Sequence, residues 1–512
     1  MQILQLMPLY KEYLMLIDYK VDYDLAKKRT DEKVTDWKRF REKWLGNLWG
    51  DINTDPDASK PEINYIKTNV EQLVAMLQLK NPEINIEPVE GGDVESAAGL
   101  ATLISNIYER KRVSQEFTEA TRDMVLYGVG YVGILWDKDE DLGYGNIRAN
   151  AISPFNIFLD PLAKRVRDAG YVHIKSLKSP VEVYTQYGVE LEDSATDDFT
   201  GQKGVEIRES WYKPSKVFPN GRHIIWTDSQ TLLEEDNPYA FGKIPIVDIV
   251  GEGLSTGDIG SLVKDLIGLQ DVFQKTIGFI FDNLRLTNNN QYWTDDETVP
   301  NHLPASPGYV QHINPERKLE AFPIQPVGSG WFNLASMAQS MFPDISGNRE
   351  QNSGSSSQGI VAASAIVALQ EAGRTRKEVR ADNVAQAVSD WGSYAVSMLG
   401  QYYDIARCQR ILGQSTPPTL AMFLSDPTSF LFDVTVMYAE ALPEDKSARL
   451  NIVMQLVNAK ILTPVQAFAV VGDKTLKRAV EASQAEIQQQ MAQVAAQQMQ
   501  AGGIAAPLKP SG

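Results

Sequence analysis

Gly253-Leu-Ser255-Thr-Gly257 has the spacing of a nucleophile elbow, in which a serine on a sharp strand-to-helix turn offers its hydroxyl to a neighbouring base. The apolar run Ile244 to Val250 reads as a strand before it, and a helix is expected after it. A serine of this kind also needs a histidine and a carboxylate carried to it by other elements. The chain has four histidines: His173, His223, His302 and His312. The two that follow Ser255 fall in a proline-rich stretch without alternating strands and helices. A glycine-flanked helix N-terminus is therefore the simpler account of the motif. Gly128-Val-Gly130-Tyr-Val-Gly133 spells a dinucleotide fingerprint, which functions only where a strand leads into a helix. Here a helical pattern precedes a strand pattern, so the glycines are expected to form a tight helix-to-strand turn. Asp137-Lys-Asp139-Glu-Asp141-Leu-Gly143 echoes a calcium loop. Leu142, however, stands where that loop needs glycine, and Arg148 where it needs its bidentate glutamate. An acidic hairpin tip is expected instead. The sequence contains no Walker motif and no cysteine–histidine spacing suited to zinc, and no catalytic, metal or cofactor residue is assigned.

The elements that hold these motifs belong to a chain of 512 residues, 43% hydrophobic and 22% charged, which is the composition of a folded protein with several domains. The net charge of −17 argues against a protein that grips phosphates, because such proteins use Lys and Arg for that purpose. It leaves room for one that lets DNA slide past. Cys408 is the one cysteine, so an internal disulfide is impossible and a reducing compartment fits. The opening residues lack the basic start and unbroken apolar core of a signal peptide. No apolar run is long enough to span a bilayer. A cytosolic protein prone to assemble is expected.

Periodicity predicts an α+β fold. Residues 1–50 read as helical, with Trp37, Phe40, Trp44 and Leu48 at helical spacing. Asn64 to Lys80 reads as a second helix and Asp93 to Tyr127 as one long one. Strands are expected at Tyr131 to Trp136, Gly145 to Ile152, Tyr171 to Leu177, Val205 to Tyr212, His223 to Asp228 and Ile244 to Val250, with a surface loop from Glu190 to Gly204. Asp258 to Leu286 reads as one helix about 43 Å long. Its apolar stripe runs through Ile259, Leu262, Val263, Leu266, Leu269, Phe273, Ile277, Ile280 and Leu284, and Ser255 with Asp258 has capping-box spacing. Pro300, Pro304, Pro307, Pro315, Pro323 and Pro326 exclude helix from 288–330. Helix resumes from Trp331 to about Met341, with Pro343 just beyond. A polar, Gly/Ser-rich segment, Gly347 to Gly359, precedes a helix of up to about 75 Å from Val361 to Leu412. Phe430 to Tyr438 reads as a strand. Residues 443–500 read as helical, with a frayed tail over 501–512. A helix of about fifty residues has more apolar surface than one such chain can cover, which points to packing against copies of itself.

Three segments carry a resemblance. Gly251-Glu-Gly253-Leu-Ser-Thr-Gly-Asp-Ile-Gly-Ser-Leu-Val-Lys-Asp-Leu-Ile-Gly-Leu-Gln270 resembles the start of the stem in tailed-bacteriophage portal proteins, where a Gly-rich turn opens a helix ending in an Asn-rich run, here Asn288 to Asn290. Ile152-Ser-Pro-Phe-Asn-Ile-Phe-Leu-Asp160-Pro161 resembles a wing segment of that family. Gly354 to Gly373, Ser-rich and then Ala-rich, resembles the tunnel loop running into its helix. The order of elements matches more strongly than any one motif, and the likeness covers the chain from about residue 100.

The resemblance implies a mixed wing over 1–250, a first stem helix over 251–287, a clip over 288–330, a second stem helix over 331–345 and a tunnel loop over 346–360. A long wing helix and strand over 361–442 and a helical crown with its tail over 443–512 would follow. It implies a non-enzymatic virion protein. Such a protein forms a dodecameric ring at one capsid vertex, is assembled in the host cytoplasm, and serves as the conduit for packaging and ejecting double-stranded DNA. Partners would be other copies of the chain, the terminase that supplies energy, a head–tail adaptor, and the major capsid and scaffolding proteins, with no membrane and no cofactor.

Channel-facing residues would be Gln351, Asn352, Ser353, Ser355, Ser356, Ser357 and Gln358. Lys264, Lys275 and Arg285 are candidates for a DNA-facing stem. Arg374, Arg376, Lys377 and Arg380 cluster on the long helix. With Glu371, Glu378 and Asp382 beside them, they read as a charge-laced surface between subunits more readily than as a grip on DNA. The alternatives are another head–tail ring, such as an adaptor, and a serine hydrolase using Ser255.

Overall fold

The computed structural model describes residues 18–52, 55–78, 83–88, 94–253, 257–288, 291–295, 297, 299, 312, 315–347, 363–412, 418–425 and 432–437. In chain order the elements are α1 (Tyr19–Leu45), α2 (Tyr65–Leu77), β1 (Glu83–Pro88), α3 (Val94–Arg110), α4 (Val113–Tyr127), β2 (Val129–Asp137), β3 (Asn146–Ile152), β4 (Ile157–Leu159), β5 (Tyr171–Lys178), α5 (Pro180–Tyr187), β6 (Ala195–Thr196), β7 (Lys203–Tyr212), β8 (Arg222–Trp226), β9 (Thr231–Glu235) and β10 (Ile246–Val250). After these come β11 (Glu252–Gly253), β12 (Ile259–Gly260), α6 (Leu262–Asn288), β13 (Tyr292–Thr294), β14 (Leu319–Ala321), α7 (Ser329–Ser346), α8 (Ala363–Tyr402), α9 (Ile405–Leu412), α10 (Pro418–Ser425) and β15 (Phe432–Met437). Helices and several antiparallel sheets thus share one chain, as an α+β reading requires.

Local chemistry sets the helix ends. Asp18 caps α1, its carboxylate accepting from Lys20 N at 2.9 Å, and Gly46 ends it with a left-handed φ of 109°. Asn64 caps α2 in the same way through Lys67 N at 2.9 Å. The run from 93 to 127 is two helices, not one. The chain breaks at Arg112, whose φ is 56°, while Lys111 reaches Glu140 and Asp141, each at 2.6 Å. Those long-range ion pairs, with burial of Val113, override a locally continuous helical pattern. The long helix also divides. Tyr403 is buried with its hydroxyl 2.8 Å from Asn146 Oδ1, and Asp404 accepts from Arg407 N at 2.7 Å, so α9 starts afresh.

Two sheets dominate. The first has the order β10-β2-β3, and its middle strand β2 packs on α4. Gly128 makes the helix-to-strand turn with φ 90°, and at Gly130 a Cβ would sit 1.8 Å from Ala120 O, so only glycine allows this strand so close to the helix. The second sheet has the order β4-β5-β7-β8-β9, with β6 beside β7. One face buries Tyr23 and Ala26 of α1 against Phe158, Tyr212, Phe218, Ile224 and Trp226. The other packs Val205, Ile207 and Ile225 on Val183 of α5. Most of the expected 190–204 loop is irregular, but it contains β6 and the first residues of β7. β1 and β15, far apart in sequence, pair antiparallel and rest against α3 and α8.

Candidate assembly surface

α6 and α7 form a helical hairpin rooted in this body. The sequence suggests a start for α6 at Asp258, but β11 and β12 pair across residues 252–260 and the helix opens at Leu262. Ser261, not Ser255, serves its start: its hydroxyl accepts from Lys264 N at 3.4 Å and donates to Leu126 O at 2.6 Å. Ser255 lies outside the described residues. The described residues on either side of it, Glu252–Gly253 and Ile259–Gly260, pair as β11 and β12. At its far end α6 runs to Asn288, about 40 Å of helix.

α7 is longer than Trp331 to Met341. It continues through Pro343 to Ser346 and is closed by Gly347 at φ 73°. Proline is tolerated near the end of this helix because the Tyr65–Phe342 stack (4.9 Å) and the Ser346–Asn69 hydrogen bond (2.7 Å) hold the last turn to α2.

The root of the hairpin is braced by residues 39–65. Lys43, 1% exposed, points its ammonium at Leu48 O (2.7 Å), Asp271 of α6 (3.2 Å) and Asp51. Arg39 also reaches Asp51 at 2.6 Å and Asp271 at 3.5 Å. Burial alone would raise the Asp51 carboxyl, but its hydrogen bonds to Lys43 and Arg39 and their charges hold it below the usual carboxylate range. Gln270 of α6 donates to Ile63 O at 2.8 Å and accepts from Tyr65 N at 3.1 Å. Further along, Ser59 N donates to Asp282 at 2.8 Å, and Trp49 lies 3.1 Å from where a Cβ on Gly278 would be. Little in the sequence signals this brace beyond one lysine set among the aromatic residues of an apolar stripe.

Beyond the brace the hairpin carries apolar side chains that stand substantially exposed, Phe279 among them even with Trp331 of α7 packed edge-on at 5.5 Å. On α6, Val272 is 47% exposed and Phe279 58%, on the same face as Gly268, whose Cβ position has no neighbour within 4 Å. On α7, Leu334, Met337, Met341 and Ile345 form a second exposed stripe, Met337 at 60%. The inward stripe, Ala335, Ala338, Phe342 and Ser346, lies beside it. A third stripe of Asn333, Ser336, Ser340 and Asp344 is polar and nearly uncharged, and α7 holds no Lys or Arg. Burying one large apolar side chain is worth roughly 1.5–3 kcal/mol. Several exposed in two stripes make a candidate contact surface. At the far end β13 and β14 pair and add exposed Tyr292 and Trp293, with Phe322 just after.

Lys264 and Lys275 are exposed and lie three turns apart on the Val272 face of α6. Arg285 is turned away and donates to Asp57 O at 3.2 Å. Arg380 pairs with Glu252 at 2.7 Å within the chain, anchoring α8 beside β11. Arg374, Arg376 and Lys377 are also on α8, and their side chains lie outside the described residues. Residues 348–362, and with them Gln351, Asn352, Ser353, Ser355, Ser356, Ser357 and Gln358, also lie outside, as do 438–512. The acidic tip near Asp141 is an ion-pair hub, with Lys111 at 2.6 Å and Arg407 at 2.8 Å on that one carboxylate. His173 is buried and bonded to Ser210 at 2.7 Å, and His223 lies between Glu209 and Glu235.

A protein-family model described as phage P22-like portal protein matches residues 19–219 and 220–509. No curated protein matches the chain.

Proposed function

This chain belongs to the phage P22-like portal protein family, and we propose that it is one subunit of a closed, dodecameric ring at a capsid vertex through which double-stranded DNA is packaged and ejected. The observation that carries the reading to this structure is the α6–α7 hairpin with two exposed apolar stripes, one on each helix. A cyclic ring uses heterologous contacts, in which one patch meets a different patch on the next copy. The Val272–Phe279 stripe of α6 and the Leu334–Ile345 stripe of α7 suit such a pairing, and Gly268 leaves room for a close approach. Lys264 and Lys275 then border the seam between subunits.

In this reading residues 1–250 are the wing, α6 and α7 the two stem helices, and 288–330 the clip. Residues 346–360 are the tunnel loop, 361–442 the long wing helix and strand, and 443–512 the crown. The polar stripe of α7 faces the channel. Uncharged hydroxyl and amide groups touch phosphate without the counterion release that makes binding tight, and the overall acidity keeps DNA from being trapped. The exposed Tyr292 and Trp293 of β13, with Phe322 just after β14, dock the terminase during packaging and the tail adaptor afterwards. No residue here takes a catalytic role, and the energy for packaging comes from the terminase. The test is an assembly reaction with and without this chain, using its cognate capsid, scaffolding and terminase proteins. DNA-filled heads should form only when the chain is present, and equal yields of filled heads without it would refute the proposal.

A further inference from the structure

His223 is held from both sides. Its Nε2 is 2.8 Å from Glu209 Oε1 on β7 and its Nδ1 is 3.0 Å from Glu235 Oε1 on β9. Two carboxylate partners use both ring nitrogens as donors, which is the imidazolium form. Burial alone would lower the ring's pKa, but the hydrogen bonds and charges of Glu209 and Glu235 hold it above its ordinary value of 6.5.

The ring is also the first member of a stack. Trp211 lies on it at 3.8 Å and 15°. Tyr239 follows at 5.9 Å and 17°, Phe241 at 5.3 Å and 8°, and Tyr394 of α8 at 4.6 Å and 3°. The segment bearing Tyr239 and Phe241 is fixed to α8 by Ala240 N donating to Gln401 Oε1 (3.0 Å) and Gln401 Nε2 donating to Pro238 O (2.7 Å). Tyr239 also accepts from Trp136 N of β2 at 3.2 Å. Beside this joint the two large sheets are separated by a cavity of about 550 Å³, lined by Glu209, Trp211, Lys175 and Asp197 among others. The attachment of the six-stranded sheet to α8 therefore runs through the joint.

We propose that the Glu209–His223–Glu235 clamp and the ring stack leading from it form a pH-sensitive latch fastening the six-stranded sheet to α8. The other groups facing the clamp are Lys175 and Asp197 across the cavity, Glu182 and Tyr187 of α5, Tyr239 of the joint and Tyr402 of α8. Burial pushes Tyr187 up to about 12 and raises Tyr239 and Tyr402, so these hydroxyls stay neutral near neutral pH. On the strand of His223 itself, Arg222 is engaged by Glu234 at 2.6 Å and Asp236 at 3.6 Å. The folded value of His223 lies above 6.5, so the contribution of the latch is complete below 6.5 and is lost as pH rises through the folded value. Above it a neutral ring serves only one carboxylate as donor, and Glu209 and Glu235 are left facing each other.

Another group titrates in the same window: burial pushes Asp123 up to about 7. The readout must therefore be local. Amide hydrogen exchange of the full chain, corrected for intrinsic rates, is followed at pH 5.5 and 8.5 over residues 222–245. Protection there should fall about tenfold or more at the higher pH, and His223→Gln should remove that dependence. Glu235→Gln keeps a hydrogen-bonding partner and should move the transition to lower pH, which tests the idea even if His223→Gln folds poorly. Protection independent of pH in the native chain, an unchanged transition in Glu235→Gln, or an unchanged dependence in His223→Gln would overturn the latch.

Discussion

Lys43 shows how much one residue can carry. Its ammonium is buried among Leu48 O, Asp51 and Asp271, and it ties the end of α1 to the root of α6. Removing it takes the buried cation from two carboxylates that then keep only Arg39, at a cost of about 1–3 kcal/mol. Lys43→Ala should lower the urea midpoint of unfolding by that equivalent. Arg39→Ala, at a half-exposed site, should lower it by less than about 1 kcal/mol. Equal effects would mean that burial is not what makes the lysine important. A second residue-scale prediction follows from His173. Burial holds its ring neutral down to about 3, whereas an unfolded chain takes up that proton near 6.5. Stability should therefore fall as pH drops below 6.5, and His173→Asn should flatten that slope in an acid denaturation series. Neither role was plain in the sequence, because His173 depends on Ser210 and Lys43 on Asp271, both distant along the chain.

At the scale of elements, the hairpin makes a separable claim about folding and assembly. Val272→Glu and Met337→Glu place a charge in the exposed stripes without touching the inward one. Each should leave the far-ultraviolet circular dichroism and the stability of the subunit within about 0.5 kcal/mol of the native chain. Each should also abolish the large species seen by sedimentation velocity. Loss of folding would show that these residues are core, and intact large species would show that the stripes are not contacts.

Elements were legible in the sequence where periodicity was strong and local. The apolar stripe of α6 marked Leu262, Val263, Leu266, Phe273 and Ile280, all buried, and the glycines at 128 and 130 pointed to a helix-to-strand turn. Leu284 belongs to that stripe in sequence yet is 43% exposed, because the hairpin has left the body by that point. Boundaries fixed by distant contacts were not legible. The break at Arg112 depends on Lys111 meeting Glu140 and Asp141, the break after Tyr402 on Tyr403 meeting Asn146, and β1 on its pairing with β15.

At the scale of the whole molecule, the reading is a ring whose channel repels phosphate. The loop over 346–360 is its most exposed test. Cysteines introduced at Ser355 and Ser357, after Cys408→Ala, should be shielded from a bulky thiol reagent in DNA-filled heads and labelled in empty ones. Equal labelling would take that loop out of the channel. Cys408 itself is buried, its thiol pushed up to about 11 by burial, so its replacement by alanine removes background at little risk to the surface. The candidate site was legible at this scale mainly as an order of segments and a surplus of apolar helix. The proposed pairing of stripes between copies would be a property of the assembly, which one chain only implies.

The most direct measurement of the central claim is the mass and shape of the purified protein under assembly conditions, by mass photometry with negative-stain electron microscopy of the same sample. The account predicts closed rings with a central hole and a mass near a dodecamer of the 57.0 kDa chain. A single species at the mass of one chain, at every concentration and in particles recovered from assembled heads, would contradict it.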